Sequence, residues 1–106
     1  MAMVKAEKIW YNGKFVNWDD AKIHVLSHVV HYGTSFFEGA RCYKTIGGSA
    51  CFRIRDHMRR LVESMKIYRT ESPYTTDELV DATLATIRIN RLESCYIRPI
   101  IFRGYG

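Results

Sequence analysis

The sequence predicts an α+β fold, a largely antiparallel sheet carrying two main helices. Three observations support this. Two glycine-bearing turn signals, Asn12-Gly13 and Gly47-Gly48, each lie between short runs suited to strands. Two stretches with helical periodicity follow, opening near Asp56 and Thr75. An isoleucine-rich run, Cys95 to Phe102, then reads as a further strand. Neither a dinucleotide-binding glycine fingerprint nor a P-loop is present.

The first hairpin pairs Lys8-Ile-Trp-Tyr11 with Lys14-Phe-Val16 across Asn12-Gly13, two residues that tolerate positive φ. From Asp19 to Gly39 the pattern is mixed, and its glycines indicate a short helix or tight turn. The second hairpin joins Arg41–Thr45 to Ala50–Ile54, with Gly47-Gly48 as its turn. Asp56 can cap a helix running to about Tyr68, with Met58, Leu61, Val62 and Met65 as its apolar stripe. Ser72-Pro73 breaks the chain. Thr75 and Glu78 then have the offset of a capping box for a helix to about Arg91, with Leu79, Val80, Leu84 and Ile87 inward. The chain stops at Arg103-Gly-Tyr-Gly106, just past a strand, which reads as a cut through a larger protein.

A length of 106 residues is one domain's worth, and 47% hydrophobic with 25% charged residues is ordinary for a soluble globular chain. No apolar run is long enough to span a membrane, and Met1 to Lys8 lacks a signal-peptide core, so a cytoplasmic protein is expected. The formal charge of +5 is not accompanied by a nucleic-acid motif, and nucleic-acid binding is not expected. Cys42, Cys51 and Cys95 are odd in number and widely spaced, which argues against a disulfide scaffold and a structural zinc site. His24, His28 and His31 share helical spacing but lack neighbouring thiols or carboxylates, so no metal site is expected.

Tyr96 and Arg98, two apart on a strand, leave the same face of the sheet. Apolar neighbours place Arg98 in a partly buried position where it needs an anion: a protein carboxylate such as Glu38, or a ligand carboxylate held by two prongs. Arg53 and Arg55 fall on one strand face, and Arg59 and Arg60 in the first turn of the next helix. That cluster is either a solvated face or a phosphate site, with Arg60 nearer the buried stripe than Arg59. Between Tyr32 and Arg41, Gly33 and Gly39 permit close approach while Tyr32, Phe36 and Phe37 supply apolar wall. The segment is a packed corner of core or a pocket for an aliphatic side chain.

Taken together, His31-Tyr-Gly-Thr-Ser-Phe-Phe-Glu-Gly-Ala-Arg-Cys-Tyr43, Phe52-Arg-Ile-Arg-Asp-His-Met-Arg-Arg-Leu61 and Tyr96-Ile-Arg-Pro99 closely resemble segments of bacterial branched-chain aminotransferases, and the resemblance runs from about Ala6 to Gly106. It implies the small N-terminal domain, residues 1–106, of a fold-type IV pyridoxal-phosphate enzyme, with the cofactor held against a larger C-terminal domain. It implies that Arg60 holds the cofactor phosphate, Tyr96 contacts the substrate α-carboxylate, and Arg98 receives the glutamate side-chain carboxylate. Phe37 and Gly39 then line the pocket for Leu, Ile and Val side chains, with Arg41 nearby. Tyr32 reaches the active site of a neighbouring subunit, so a homodimer follows. The implied reaction transfers an amino group from a branched-chain amino acid to 2-oxoglutarate.

Such chemistry requires a lysine that forms a Schiff base with the cofactor. Lys5, Lys8, Lys14, Lys22, Lys44 and Lys66 all lack the family's context for that residue, so no catalytic lysine is assigned and this chain alone is expected not to transaminate. D-amino acid aminotransferases and aminodeoxychorismate lyases are the rivals within the fold class, although their corresponding segment usually reads more like Gln-Phe-Gly-Asp-Gly. A non-catalytic remnant that binds a partner or ligand is the reading from outside it.

Overall fold

The structure, a computed structural model, describes residues 5–104. Its elements run β1 (Lys8–Tyr11), β2 (Lys14–Asn17), α1 (His28–Tyr32), β3 (Ser35–Phe37), β4 (Ala40–Thr45), β5 (Gly48–Cys51), α2 (Ile54–Ile67), α3 (Thr76–Ile89), β6 (Cys95–Ile97) and β7 (Ile100–Phe102). All strand pairing is antiparallel, in the sheets β1-β2, β3-β7 and β5-β4-β6. The α+β expectation with two main helices holds. No helix among the described residues is long and apolar enough to cross a membrane.

The first hairpin forms as expected, because Asn12 (φ 49°) and Gly13 (φ 83°) both adopt positive φ and close the Tyr11–Lys14 pair. The second hairpin differs. Thr45 pairs with Gly48, so the two-residue turn is Ile46-Gly47 and Gly48 already belongs to β5. That strand ends at Cys51, and Arg53, held at φ 51°, turns the chain into α2. The helix therefore begins two residues before Asp56, and Arg53 and Arg55 share no strand face. Asp56 makes no cap; its carboxylate instead takes Arg53 at 2.8 Å and Arg59 at 3.1 Å in the first turn.

Helix α3 opens with the expected capping box: the Glu78 amide donates to the Thr75 hydroxyl at 3.1 Å, and the Thr75 amide to the Glu78 carboxylate at 3.0 Å. It ends at Ile89, two residues short of the expected end. Both long helices close with a left-handed arginine, Arg69 and Arg91, each at φ 55°. Behind them Thr70 donates back to the Met65 carbonyl and Leu92 to the Ile87 carbonyl, satisfying the last-turn acceptors.

The apolar stripes meet as expected. Met58 and Leu61 of α2 pack with Leu79 and Val80 of α3, flanked by Trp10, Phe36, Ile54, Val62, Tyr74, Leu84 and Ile101. Each fully buried side chain of this size contributes roughly 1.5–3 kcal/mol. The first hairpin is fastened at two points. Trp10 meets the edge of Tyr74 with ring centroids 5.0 Å apart, and the Asn90 side chain bonds the backbone of Glu7 and Lys8.

The run Cys95 to Phe102 is two strands rather than one. β6 pairs with β4 and β7 with β3, yet both pairings keep one register: Ala40 faces Ile97 on one side of the gap, and Phe37 faces Ile100 on the other. Pro99 lacks an N–H and breaks the ladder there. Glu38 still donates to the Pro99 carbonyl at 3.2 Å, which holds the strands together across the gap. Between the two hairpins, the segment from Asp19 to Gly39 contains the short helix α1, in keeping with the expectation, and the short strand β3, which the local pattern does not announce.

Folding also gathers the cysteines. Cys42 lies directly opposite Cys51 on one side and Cys95 on the other, so residues distant in sequence form one row. All three are free thiols.

Candidate functional site

Strand alternation sorts the β3-β4/β6-β7 ladder into two faces. Phe36, Glu38, Ala40, Cys42, Cys95, Ile97, Pro99 and Ile101 are buried or half-buried, whereas Phe37, Gly39, Arg41, Tyr43, Tyr96, Arg98 and Ile100 are exposed. Five of the seven candidate residues, Phe37, Gly39, Arg41, Tyr96 and Arg98, thus stand on one open face. Arg41 and Tyr96 are register partners across β4 and β6.

Side-chain contacts tie the group together. Arg98 Nη2 donates to the Tyr96 hydroxyl at 2.7 Å. The same guanidinium lies over the Phe37 ring, 4.4 Å from its centroid, and 5.4 Å from that of Tyr96. Gly39 is needed for this arrangement, since a Cβ there would overlap the Tyr96 hydroxyl. An open cleft of about 470 Å³ adjoins the cluster, lined by Gly39, Ala40, Arg41, Tyr43, Phe52, His57 and Tyr96. Its lining includes no lysine. Arg98 itself is exposed, not partly buried as expected, because the ladder face that carries it is uncovered. Nor is Glu38 its partner.

Glu38 belongs to Arg60. Arg60 donates from Nε at 3.1 Å to each carboxylate oxygen and from Nη2 at 2.6 Å to Oε1. The His57 ring lies 3.0 Å from the same oxygen through Nδ1. The Glu38 side chain is 12% exposed, and the hydrogen bond from Arg60 is the main reason its carboxyl is held below the usual range, with His57 adding to it against the opposing effect of burial. The Arg60 side chain is 65% exposed, no more inward than that of Arg59 at 63%, which corrects the expected difference between the two. What separates them is the partner: Arg59 binds Asp56, while Arg60 reaches across to the strand-gap carboxylate. Glu38 grips Arg60 from the side, through Nε and Nη2, which leaves the end of the fork directed elsewhere.

The other arginines of the cluster are accounted for by carboxylates, Arg53 by Asp56 and Arg55 by Asp77. Tyr32 is not brought to the cluster. It projects from α1, 75% exposed, with its ring 4.6 Å from that of His28 and 6.3 Å from that of His31. Among the described residues no group of three or more His, Cys, Asp or Glu side chains is disposed to hold a metal ion. Sequence reasoning missed His57 as a member of the site, although its place one helical turn before Arg60 was a signal.

Comparison with known proteins places the chain in a family. The branched-chain-amino-acid aminotransferase of Escherichia coli (strain K12) is 54% identical over 104 residues, covering 98% of this chain and 34% of that protein. The Pseudomonas aeruginosa enzyme of the same name is 50% identical over 96 residues, covering 91% and 31%. The chain therefore spans about a third of the length of these relatives. A crystal structure of the Escherichia coli branched-chain amino acid aminotransferase superposes with a TM-score of 0.92 at 55% identity, over 94% of this chain and 33% of that one. That of the branched-chain aminotransferase from the archaeon Thermoproteus uzoniensis, with norvaline, does so at 0.90 and 40%, over 94% and 34%. Residues 35–106, which carry β3 through β7 and every candidate residue except Tyr32, match the amino-transferase class IV family, and the chain belongs to that family.

Proposed function

We propose that this chain is the small, substrate-facing domain of a branched-chain amino acid aminotransferase that uses pyridoxal 5'-phosphate to exchange amino groups between Leu, Ile or Val and 2-oxoglutarate. The observation that carries the reading is the shared open face of Phe37, Gly39, Arg41, Tyr96 and Arg98, with Arg98 bonded to Tyr96. The relatives' names point the same way.

The residues fit such a cofactor at Arg60. Its guanidinium is steadied side-on by Glu38 and keeps donors for a phosphate at its other edge. When bound, pyridoxal phosphate supplies the carbon that carries the amino group and a ring that accepts negative charge. This chain's own part is recognition. Because Arg98 donates to the Tyr96 oxygen, the phenol's own proton is available to a substrate carboxylate. Arg98 at the rim suits a second, side-chain carboxylate through its remaining donors. When an aliphatic chain occupies the pocket instead, Arg98 rests over Phe37, where a cation over an exposed ring gains about 0.5–1 kcal/mol. One pocket thereby serves an acidic and an apolar substrate in turn.

We infer a cytoplasmic homo-oligomer, in which the exposed Tyr32 reaches a neighbouring subunit's site and the attachment lysine comes from polypeptide beyond these 106 residues. The test is a substrate panel on the complete gene product. Leu, Ile and Val with 2-oxoglutarate are expected to turn over and this chain alone is not. Equal activity on D-alanine would favour a D-amino acid aminotransferase.

A further inference from the structure

The exposed face of the ladder carries the candidate site, and the three cysteines stand on the opposite side. Cys42 is 2% exposed at the centre of the β5-β4-β6 sheet, with half-buried Cys51 and Cys95 directly across from it. Opposite residues of an antiparallel pair project to the same side, so the three thiols form one row. Their spacing follows from the backbone pattern. Phe52 donates to the Arg41 carbonyl at 3.1 Å, which makes Arg41–Phe52 a hydrogen-bonded pair and the adjacent Cys42–Cys51 a non-hydrogen-bonded one. Since Cys42 presents its amide and carbonyl to β6 instead, Cys42–Cys95 is the hydrogen-bonded kind. Such pairs have Cα atoms about 4.5 and 5.5 Å apart, respectively. Both fall within the roughly 4.4–6.8 Å that a disulfide spans. Cys51 and Cys95, two strand spacings apart at about 9–10 Å, fall outside it.

A way in exists. A groove of about 240 Å³ between the sheet and α3 is lined by Cys42, Ser49, Leu84, Ile87, Arg88, Arg91 and Leu92, so two guanidiniums flank the approach to the central thiol. The Cys42 thiol makes a contact of 3.8 Å to the Glu93 carbonyl and also interacts with the Cys51 and Cys95 thiols beside it, weak interactions that are readily given up.

We propose that this row is a modification site at which a low-molecular-weight anionic disulfide converts Cys42 and one directly opposite cysteine, Cys51 or Cys95, into an intrachain disulfide. One protein sulfur, deprotonated to the thiolate, displaces one half of the small disulfide as a thiolate that takes up a proton. The second protein thiolate then attacks that mixed disulfide, expelling the other half as thiol. Two protein thiols are oxidised and one disulfide is reduced to two thiols. Burial pushes the Cys51 thiol up to about 12 and raises that of Cys95, so attack by either outer thiol is slow at neutral pH. The bridge binds β4, whose Arg41 lies on the other face, to a neighbouring strand. The inference rests on the fold alone and is independent of the proposed reaction.

The experiment incubates the protein with excess oxidised glutathione, blocks remaining thiols, and maps the peptides by mass spectrometry. The expected result is loss of two hydrogens from the intact chain, with Cys42 bridged to Cys51 or Cys95. Cys42→Ser is expected to lower the bridged fraction by about tenfold or more, because the two outer thiols lie too far apart. Cys51→Ser and Cys95→Ser, made singly, each leave one bridge possible. Three free thiols, mixed disulfides only, bonds between chains, or a Cys51–Cys95 bond in the wild-type chain would each overturn the proposal, and the wild-type map stands even if a variant fails to fold.

Discussion

Asn90 makes a more demanding test of the fold than any core leucine, because one short side chain joins two elements. Its Oδ1 accepts from the amides of Glu7 at 2.9 Å and Lys8 at 2.8 Å, while Nδ2 donates to the carbonyls of Lys8 at 2.9 Å and Thr86 at 2.9 Å. Asn90→Ala removes all four bonds and leaves three backbone groups to find water, since the Thr86 carbonyl still accepts from the residue 90 amide. A typical bond contributes a net 0.5–1.5 kcal/mol, and the Glu7 amide is exposed enough to rehydrate, so the expected loss is about 2–3 kcal/mol. For a chain of this size that corresponds to a fall in Tm of roughly 10–20 °C. Urea unfolding followed by circular dichroism should show a lower midpoint with an unchanged slope. Asn90→Asp should be no better, since it keeps the acceptors but sets a carboxylate against two carbonyls. A loss below about 0.5 kcal/mol for the alanine variant would refute the reasoning, and with it the idea that this side chain docks the first hairpin onto α3.

Glu38, whose folded carboxyl is depressed, contributes stability that is present above the unfolded value of about 4.3 and lost as pH falls through its lower folded value. Glu38→Gln should therefore be less stable than wild type near neutrality, and the gap should close as the medium is acidified; denaturant titrations across that range decide it, and a gap that persists in acid contradicts the pairing. Gly39→Ala should barely change stability, because the Tyr96 hydroxyl it meets ends a movable side chain, but should break the Tyr96–Arg98 bond; unchanged Arg98 side-chain NMR signals would refute this. Arg69→Gly should stabilise the protein by roughly 0.5–1 kcal/mol by relieving a left-handed residue after α2, and a destabilised variant in thermal unfolding would count against that account.

Legibility from sequence follows the range of the interactions involved. The Asn12-Gly13 turn, the Thr75–Glu78 capping box and the stripes of α2 and α3 are written within a few residues, and each appears as expected. The start of α2 is not legible in that way, because the left-handed turn at Arg53 carries no residue-type signal; an arginine there is held by its surroundings and not by its own preference. Cys95 to Phe102 looks unbroken by composition, although Pro99 within it is the cue to a gap. Same-face placement of Tyr96 and Arg98 follows from strand spacing, but the partners of charged groups do not. Glu38 is a plausible partner for Arg98 by residue type yet pairs with Arg60, and the three cysteines meet only through the register of β4 with β5 and β6. Pairings of that kind depend on tertiary contacts that no local pattern encodes.

Arg60, steadied by Glu38, is proposed to receive the phosphate of the cofactor. Calorimetric titration of the complete gene product with pyridoxal 5'-phosphate and, separately, with pyridoxal tests it most directly, in wild type and Arg60→Met. The variant is expected to lose about ten- to a hundredfold in affinity for the phosphorylated compound, as follows from losing charged hydrogen bonds, and nothing for pyridoxal. Equal affinity of both proteins for pyridoxal 5'-phosphate would contradict it.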